Sequence, residues 1–141
     1  FQPNSSFFNS SDSFHSHTIL RVLVAEDSRL NQRLATRLLQ AQGHFVTVVE
    51  NGRQAVEELL NGTYDVVLMD VDMPEMDGLA ATRTIRTHEV YLGTRVPIVA
   101  VTTNNDLRAC LEAGMDAYLP KPLQPNRLTQ TLNAILGRTA A

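Results

Sequence analysis

The 141 residues are 43% hydrophobic and 19% charged, with a formal net charge of −3. A chain of this length and composition holds one globular domain with its own core, and its apolar runs are shorter than the ~18 residues needed to cross a membrane. The acidic balance argues against nucleic acid as a direct partner, and the single cysteine, Cys110, has no internal disulfide partner, which suits a reducing, cytoplasmic setting.

Residues 1–18 hold six serines and no helical or strand period, so they read as a linker or tail. The chain begins with Phe, and a module preceding it is expected. RVLVA (21–25) reads as a buried strand, and the helix that follows places Leu30, Leu34, Leu38 and Ala41 on one face, with Ser28 or Asp27 at its start and Gly43 at its end. HFVTVVE (44–50) is a second strand. NGRQAVEELLNG is a second helix with Ala55, Val56, Leu59 and Leu60 inward, bounded by Asn51 and Gly62.

DVVLMD (65–70) is the third strand, and from Gly78 a third helix runs behind its cap, Asp77. VPIVAVT (96–102) is the fourth strand. A short fourth helix then carries Leu107, Leu111 and Met115 in register, with Cys110 beside them as a small buried hydrophobe. AYL (117–119) is a brief fifth strand, and a last helix starts at Pro125 with Leu128, Leu132 and Ile135 inward. Residues 19–137 thus form one folded unit, and 138–141 a C-terminal tail.

Strands this apolar are covered on both faces, which predicts a doubly wound α/β fold, flavodoxin-like, with five parallel strands in the order 2-1-3-4-5. The strand order reverses between strands 1 and 3, so a crevice opens there at the carboxyl ends. Glu26 and Asp27 leave strand 1 at that crevice, and Asp70 ends strand 3.

The stretch VVLMDVDMPEMDG (66–78) concentrates four acids, Asp70, Asp72, Glu75 and Asp77. A calcium loop is excluded, because its fifth and sixth positions would be Pro74 and Glu75 rather than an oxygen ligand and a glycine. Glu75 reads as a solvated acid and Asp77 as a helix cap. Glu26, Asp27 and Asp70 repel one another unless a cation joins them, and an all-oxygen set suits Mg²⁺. Thr102 ends strand 4 with a hydroxyl donor. Lys121, the only lysine beside eleven arginines, follows strand 5 with a compact mobile charge. Acids, hydroxyl and lysine together describe phosphoryl transfer to a carboxylate, with Asp70 as nucleophile.

These residues in this order, AED (25–27), LMDVDMPEMDG (68–78), PIVAVT (97–102) and AGMDAYLPKP (113–122), resemble the receiver domain of two-component response regulators from residue 20 to about 137. The wording of the last motif is most similar to receivers attached to hybrid histidine kinases. The resemblance implies that Asp70 takes a phosphoryl group from a phosphohistidine of a histidine kinase or a phosphotransfer protein, with Mg²⁺ held by Glu26, Asp27, Asp70 and the backbone carbonyl of Asp72. It also implies that Thr102 and Lys121 bind the phosphoryl group, that Thr102 and Tyr118 act as the switch, and that the Lys121–Pro122 peptide is cis. The face made by the fourth helix, fifth strand and fifth helix is then the surface read by a downstream partner, with no direct membrane contact.

This chain departs from that pattern in places. TTNNDLRAC (102–110) is about three residues short, so the fourth helix region should be reduced. Thr103 stands where a smaller residue is usual, and Asp72, Thr103 and Asn104 surround the expected path of attacking water and should tune phosphate lifetime. Two other readings have a basis in the residues: a receiver-like interaction module that works without phosphorylation, and a DxD-type aspartyl phosphatase built on Asp70 and Asp72.

Overall fold

The computed structural model describes residues 18–73, 76–103 and 107–137. The readings made for residues 1–17, Glu75, Asn104 and 138–141 lie outside these. Five strands, β1 (Arg21–Ala25), β2 (Phe45–Val49), β3 (Val66–Asp70), β4 (Ile98–Thr102) and β5 (Ala117–Pro120), form one parallel sheet in the order β2-β1-β3-β4-β5. Five helices connect and follow them: α1 (Arg29–Ala41), α2 (Gly52–Asn61), α3 (Gly78–Leu92), α4 (Leu107–Ala113) and α5 (Pro125–Ile135). Every residue of β3 and β4 is buried, as strands covered on both faces must be.

The pleat divides the core into two clusters. Leu23, Met69, Ile98 and Ala100 turn toward Ala55, Ala81, Ile85 and Cys110 of α2, α3 and α4. Val22, Leu68, Val99 and Leu119 turn toward Ala35, Leu39, Leu128 and Leu132 of α1 and α5. Among the described residues no helix is long and apolar enough to cross a membrane.

Two helix faces differ in part from the sequence expectation, although Leu38 packs against the core and Met115 is buried as expected. On α1 the buried residues are Ala35 and Leu39, while Leu30 is 76% exposed and Ala41 lies on the surface. The inward face was masked because small Ala35 marks the close approach to the sheet, and because polar Gln32 lies on the shoulder of that face, where it bonds to the main chain. On α4, Cys110 and Ala113 are buried, followed by Met115, whereas Leu107 and Leu111 are exposed. Small side chains again take the tight contact, and the leucines point away. Leu60 of α2 is likewise half exposed. Among the described residues α4 runs from Leu107 to Ala113, and the segment before it, on which the expected shortening falls in part, lies outside them.

The short helix is anchored at its far end by Arg86 of α3. Its guanidinium donates to the carbonyls of Gly114 (2.9 Å) and Val96 (2.8 Å) and to the carboxylates of Glu89 (2.6 Å) and Asp116 (2.8 Å). Those two acids also accept from the backbone amides of Val96 and Ile98. One guanidinium thus ties α3, the entry to β4 and the α4–β5 turn together. Arg86→Met strands the buried carboxylate of Glu89, while the exposed Asp116 keeps its ion pair with Arg95, and a loss of about 1–3 kcal/mol is expected, read as a lower urea midpoint at unchanged slope.

Candidate functional site

Parallel strands deliver all their carboxyl ends to one edge of the sheet. At that edge β1 runs out into Glu26 and Asp27, β3 ends on Asp70, β4 ends on Thr102, and β5 leads into Lys121. Glu26, Asp70 and Thr102 are buried, Asp27 is exposed, and Lys121 is partly covered. One carboxylate oxygen from each of Glu26, Asp27 and Asp70 lies within 4.8 Å of the others. The Lys121 ammonium bridges the two buried acids, with Nζ 3.2 Å from Glu26 Oε1 and 3.1 Å from Asp70 Oδ2.

The remaining oxygens are held by the main chain. The Ser28 amide donates to Glu26 Oε2 at 3.0 Å, and the Asp72 amide donates to Asp70 Oδ1 at 3.2 Å. The Gln32 side chain donates to the Glu26 carbonyl at 2.6 Å, fastening the start of α1 to the crevice. Ser28 also caps α1 through the Asn31 amide. The Lys121 amide donates to the Thr102 carbonyl at 3.0 Å, and the Lys121–Pro122 peptide is cis.

Burial dominates the electrostatics of Asp70. It pushes the carboxyl up to about 7, the negative charge of Glu26 adds to this, and Lys121 pulls it partly back. For Lys121 burial acts downward, but the contacts with Asp70 and then Glu26 outweigh it, and its pKa is raised. Three carboxylates facing one ammonium leave an excess of negative charge among groups two of which are removed from water. An all-oxygen donor set with one exposed member fits a hard divalent cation that keeps water ligands.

The back of the site depends on a glycine. The Gly78 amide donates to the Val71 carbonyl at 2.9 Å, and a Cβ at this position would run into the Asp70 carbonyl. Asp77 caps α3 through the Ala80 amide at 2.8 Å, and the buried Thr82 hydroxyl donates to the Gly78 carbonyl. Gly78→Ala must therefore displace either the end of β3 or the first turn of α3. We expect a loss of about 1–3 kcal/mol in thermal melts and a slower reaction at Asp70.

The structure brings Glu26, Asp27, Asp70, Thr102 and Lys121 to one edge, as the strand order predicts. Tyr118 is half-buried on β5, and the side chains of Asp72 and Thr103 are exposed beside the crevice. Cys110 is buried as expected of a small hydrophobe. Sequence reasoning did not assign Ser28 or Gln32 to Glu26, nor the Asp72 amide to Asp70. Gly78 was read only as the start of the third helix, and its close approach to the Asp70 carbonyl, from a strand end well before it in the chain, was not foreseen.

The model of the response regulator receiver domain matches residues 22–133. Hybrid signal transduction histidine kinase I of Dictyostelium discoideum is 40% identical over 121 residues, which cover 80% of this chain and 7% of that protein. The receiver domain of the sensor histidine kinase PA1611 of Pseudomonas aeruginosa, solved with a magnesium ion coordinated in its active-site cleft, is 40% identical at a TM-score of 0.77, covering 85% of this chain and 99% of that one. The Saccharomyces cerevisiae Ssk1 receiver, solved with the histidine phosphotransfer protein Ypd1, is 28% identical at a TM-score of 0.77, covering 82% and 87%. The chain spans only 15% and 7% of the first two full-length kinases it matches. With an acid-lined crevice at the reversal of a 2-1-3-4-5 sheet and a family match over most of its length, the chain belongs to the response regulator receiver domains.

Proposed function

We propose that this domain accepts a phosphoryl group on Asp70 from a phosphohistidine, in a Mg²⁺-dependent reaction, and changes its partner contacts as a result. The observation that carries this reading is the Lys121 ammonium held 3.2 and 3.1 Å from Glu26 and Asp70 beside a third carboxylate, Asp27. Glu26, Asp27, Asp70 and the Asp72 carbonyl would hold the metal, which supplies charge neutralisation for the incoming phosphoryl oxygens.

The carboxylate of Asp70 attacks phosphorus while the bond from phosphorus to the donor imidazole nitrogen breaks, and the electron pair leaves with that nitrogen. Lys121 is already in contact with the nucleophile, so its charge is in place for a phosphoryl oxygen without further reorganisation. The Thr102 hydroxyl donates to another such oxygen, and Tyr118 follows its movement. The domain accepts and loses one phosphoryl group and carries out no further turnover. Its donor is a histidine kinase or phosphotransfer domain in the cytoplasm, and its reader contacts the face of α4, β5 and α5.

Mass spectrometry of the chain incubated with Mg²⁺ and a phosphoramidate donor tests this. One adduct of a single phosphoryl group, cleaved by hydroxylamine as an acyl phosphate, is expected. Sustained release of phosphate from monoesters would favour the phosphatase instead, and absence of both adduct and magnesium affinity would favour the unphosphorylated module.

A further inference from the structure

The opposite edge of the domain from β5 has a surface that phosphoryl transfer does not use. β2 ends the sheet and pairs with β1 alone. In a parallel ladder a residue that faces its neighbour uses both its N–H and its C=O on that side, and the next residue turns both outward. The Phe45 amide donates to the Leu20 carbonyl at 2.9 Å and the Val49 carbonyl accepts from the Glu26 amide at 3.0 Å. Val46 and Val48 therefore present their main-chain groups to the open edge. The strand has no lysine, no proline and no charge between Phe45 and Val49, the devices that ordinarily blunt an edge. Instead it exposes Phe45 at 68% and Val48 at 36%.

Beside this edge, Arg33 and Arg37 of α1 line a groove of about 400 Å³ together with Gln32, Thr36 and Val48. α1 carries four-residue-spaced Arg29, Arg33 and Arg37 and no acid, in a chain whose net charge is −3. Among the described residues, neither the Arg33 nor the Arg37 guanidinium makes an ion pair or hydrogen bond. Two unneutralised guanidiniums one turn apart on a helix repel each other and favour an anionic neighbour.

Strand alternation sorts these features. Val46 packs with the α1 cluster and Val48 lines the arginine groove, whereas Phe45 and Val49 turn to the other face of the sheet. We propose that the β2 edge and the α1 arginines together dock an extended partner segment that alternates carboxylates with aliphatic side chains. Paired to Val46 and Val48 as a sixth strand, such a segment sets every second side chain against Arg33 and Arg37 and the others beside Phe45. A second copy of this chain fits less well: its own β2, FVTVV, offers the arginines no carboxylate.

The test uses the full ¹⁵N-labelled chain and a blocked eight-residue peptide alternating glutamate and valine. Amide shifts confined to β2 and the exposed side of α1 are expected, with affinity falling at least tenfold in Arg33→Glu/Arg37→Glu and again on raising salt. Val48→Lys, which leaves both arginines in place, should also weaken binding by crowding the edge. The same peptide with lysine for glutamate should not bind. Equal binding of the lysine peptide, shifts that lie elsewhere, or affinity unchanged in Arg33→Glu/Arg37→Glu would overturn the proposal. So would concentration-dependent dimerisation through β2 that the double variant leaves intact, since the occupant would then be a second copy. Phosphorylation of Asp70 plays no part in the assay, so its outcome is independent of the chemistry at the crevice.

Discussion

Asp70→Asn is expected to abolish the phosphoryl adduct and at the same time to make the metal-free domain more stable above neutral pH. The first effect follows from removing the nucleophilic oxygen pair. The second follows from burial. Asp70 has a pKa near 7 in the folded chain against an ordinary value of 3.8. Between these values the folded state binds a proton that the unfolded state has released, so stability falls as pH rises from about 4 to about 7 and then levels off. Over that window the ionising carboxylate removes roughly 2–4 kcal/mol, and an uncharged isostere does not. Part of the gain is offset because Lys121 loses one of its two partners, which leaves a net rise of about 1–3 kcal/mol for the variant at pH 8.

The diagnostic quantity is the difference in melting temperature between Asp70→Asn and the parent, measured in chelator across pH 4–8. It should be small at pH 4 and grow through 7. Added Mg²⁺ should then raise the parent more than the variant, closing the gap. A difference that does not change with pH would show that the carboxylate carries no such strain, and a phosphoryl adduct surviving in Asp70→Asn would remove Asp70 from its assigned role.

The strand order, and with it the grouping of Glu26, Asp27, Asp70, Thr102 and Lys121, was legible from uniformly apolar strands alternating with amphipathic helices. The reason is general: in a doubly wound sheet the position of a residue at a strand end decides which edge it reaches, and strand ends were marked by abrupt polarity changes such as LMD and VTT. The caps at Asn51 and Asp77 were equally legible, because each lies at the junction of an extended and a periodic run and accepts from an amide three residues on.

The inward faces of α1 and α4 were legible only in part, at Leu38, Cys110 and Met115, for a physical reason. Hydrophobic period weights large side chains, yet small Ala35 shares the inward face of α1 with Leu39, and small Ala113 is buried on α4 beside Cys110. Leucines 30, 107 and 111 project outward instead. The amides that hold Glu26 and Asp70 were also invisible, since any residue type supplies an N–H. The chemistry of a site is written in side chains, whereas much of its rigidity is main-chain and leaves no letter in the sequence.

Lys121→Met separates the structural from the chemical role of the bridging ammonium. Removing it leaves Glu26 and Asp70, 4% and 2% exposed, facing each other with no counter-charge. Without metal at pH 8 a loss of about 3–5 kcal/mol is expected, the order seen when one member of a buried ion pair is deleted. Because Lys121 holds the Asp70 pKa down, its loss moves that pKa above 7, so the destabilisation deepens with rising pH to a higher limit than in the parent. The lysine's own raised pKa keeps its ammonium charged through neutral pH and loses that contribution only when pH climbs past the ordinary lysine range, while its contact with Asp70 becomes a full ion pair only as that carboxyl ionises through about 7.

The double variant Lys121→Met/Asp70→Asn should recover most of the stability, giving a large coupling energy in a double-mutant cycle of melts. A divalent cation should also rescue Lys121→Met, since it can neutralise the same two carboxylates. The rescued protein is the informative one. Folded and metal-bound, it still lacks a positive charge at the phosphoryl oxygens, and adduct formation should remain about 10²–10³-fold slow. If metal restored the rate together with the fold, Lys121 would be a structural counter-ion alone, and the neutralisation of the phosphoryl group would have to come from elsewhere in the crevice.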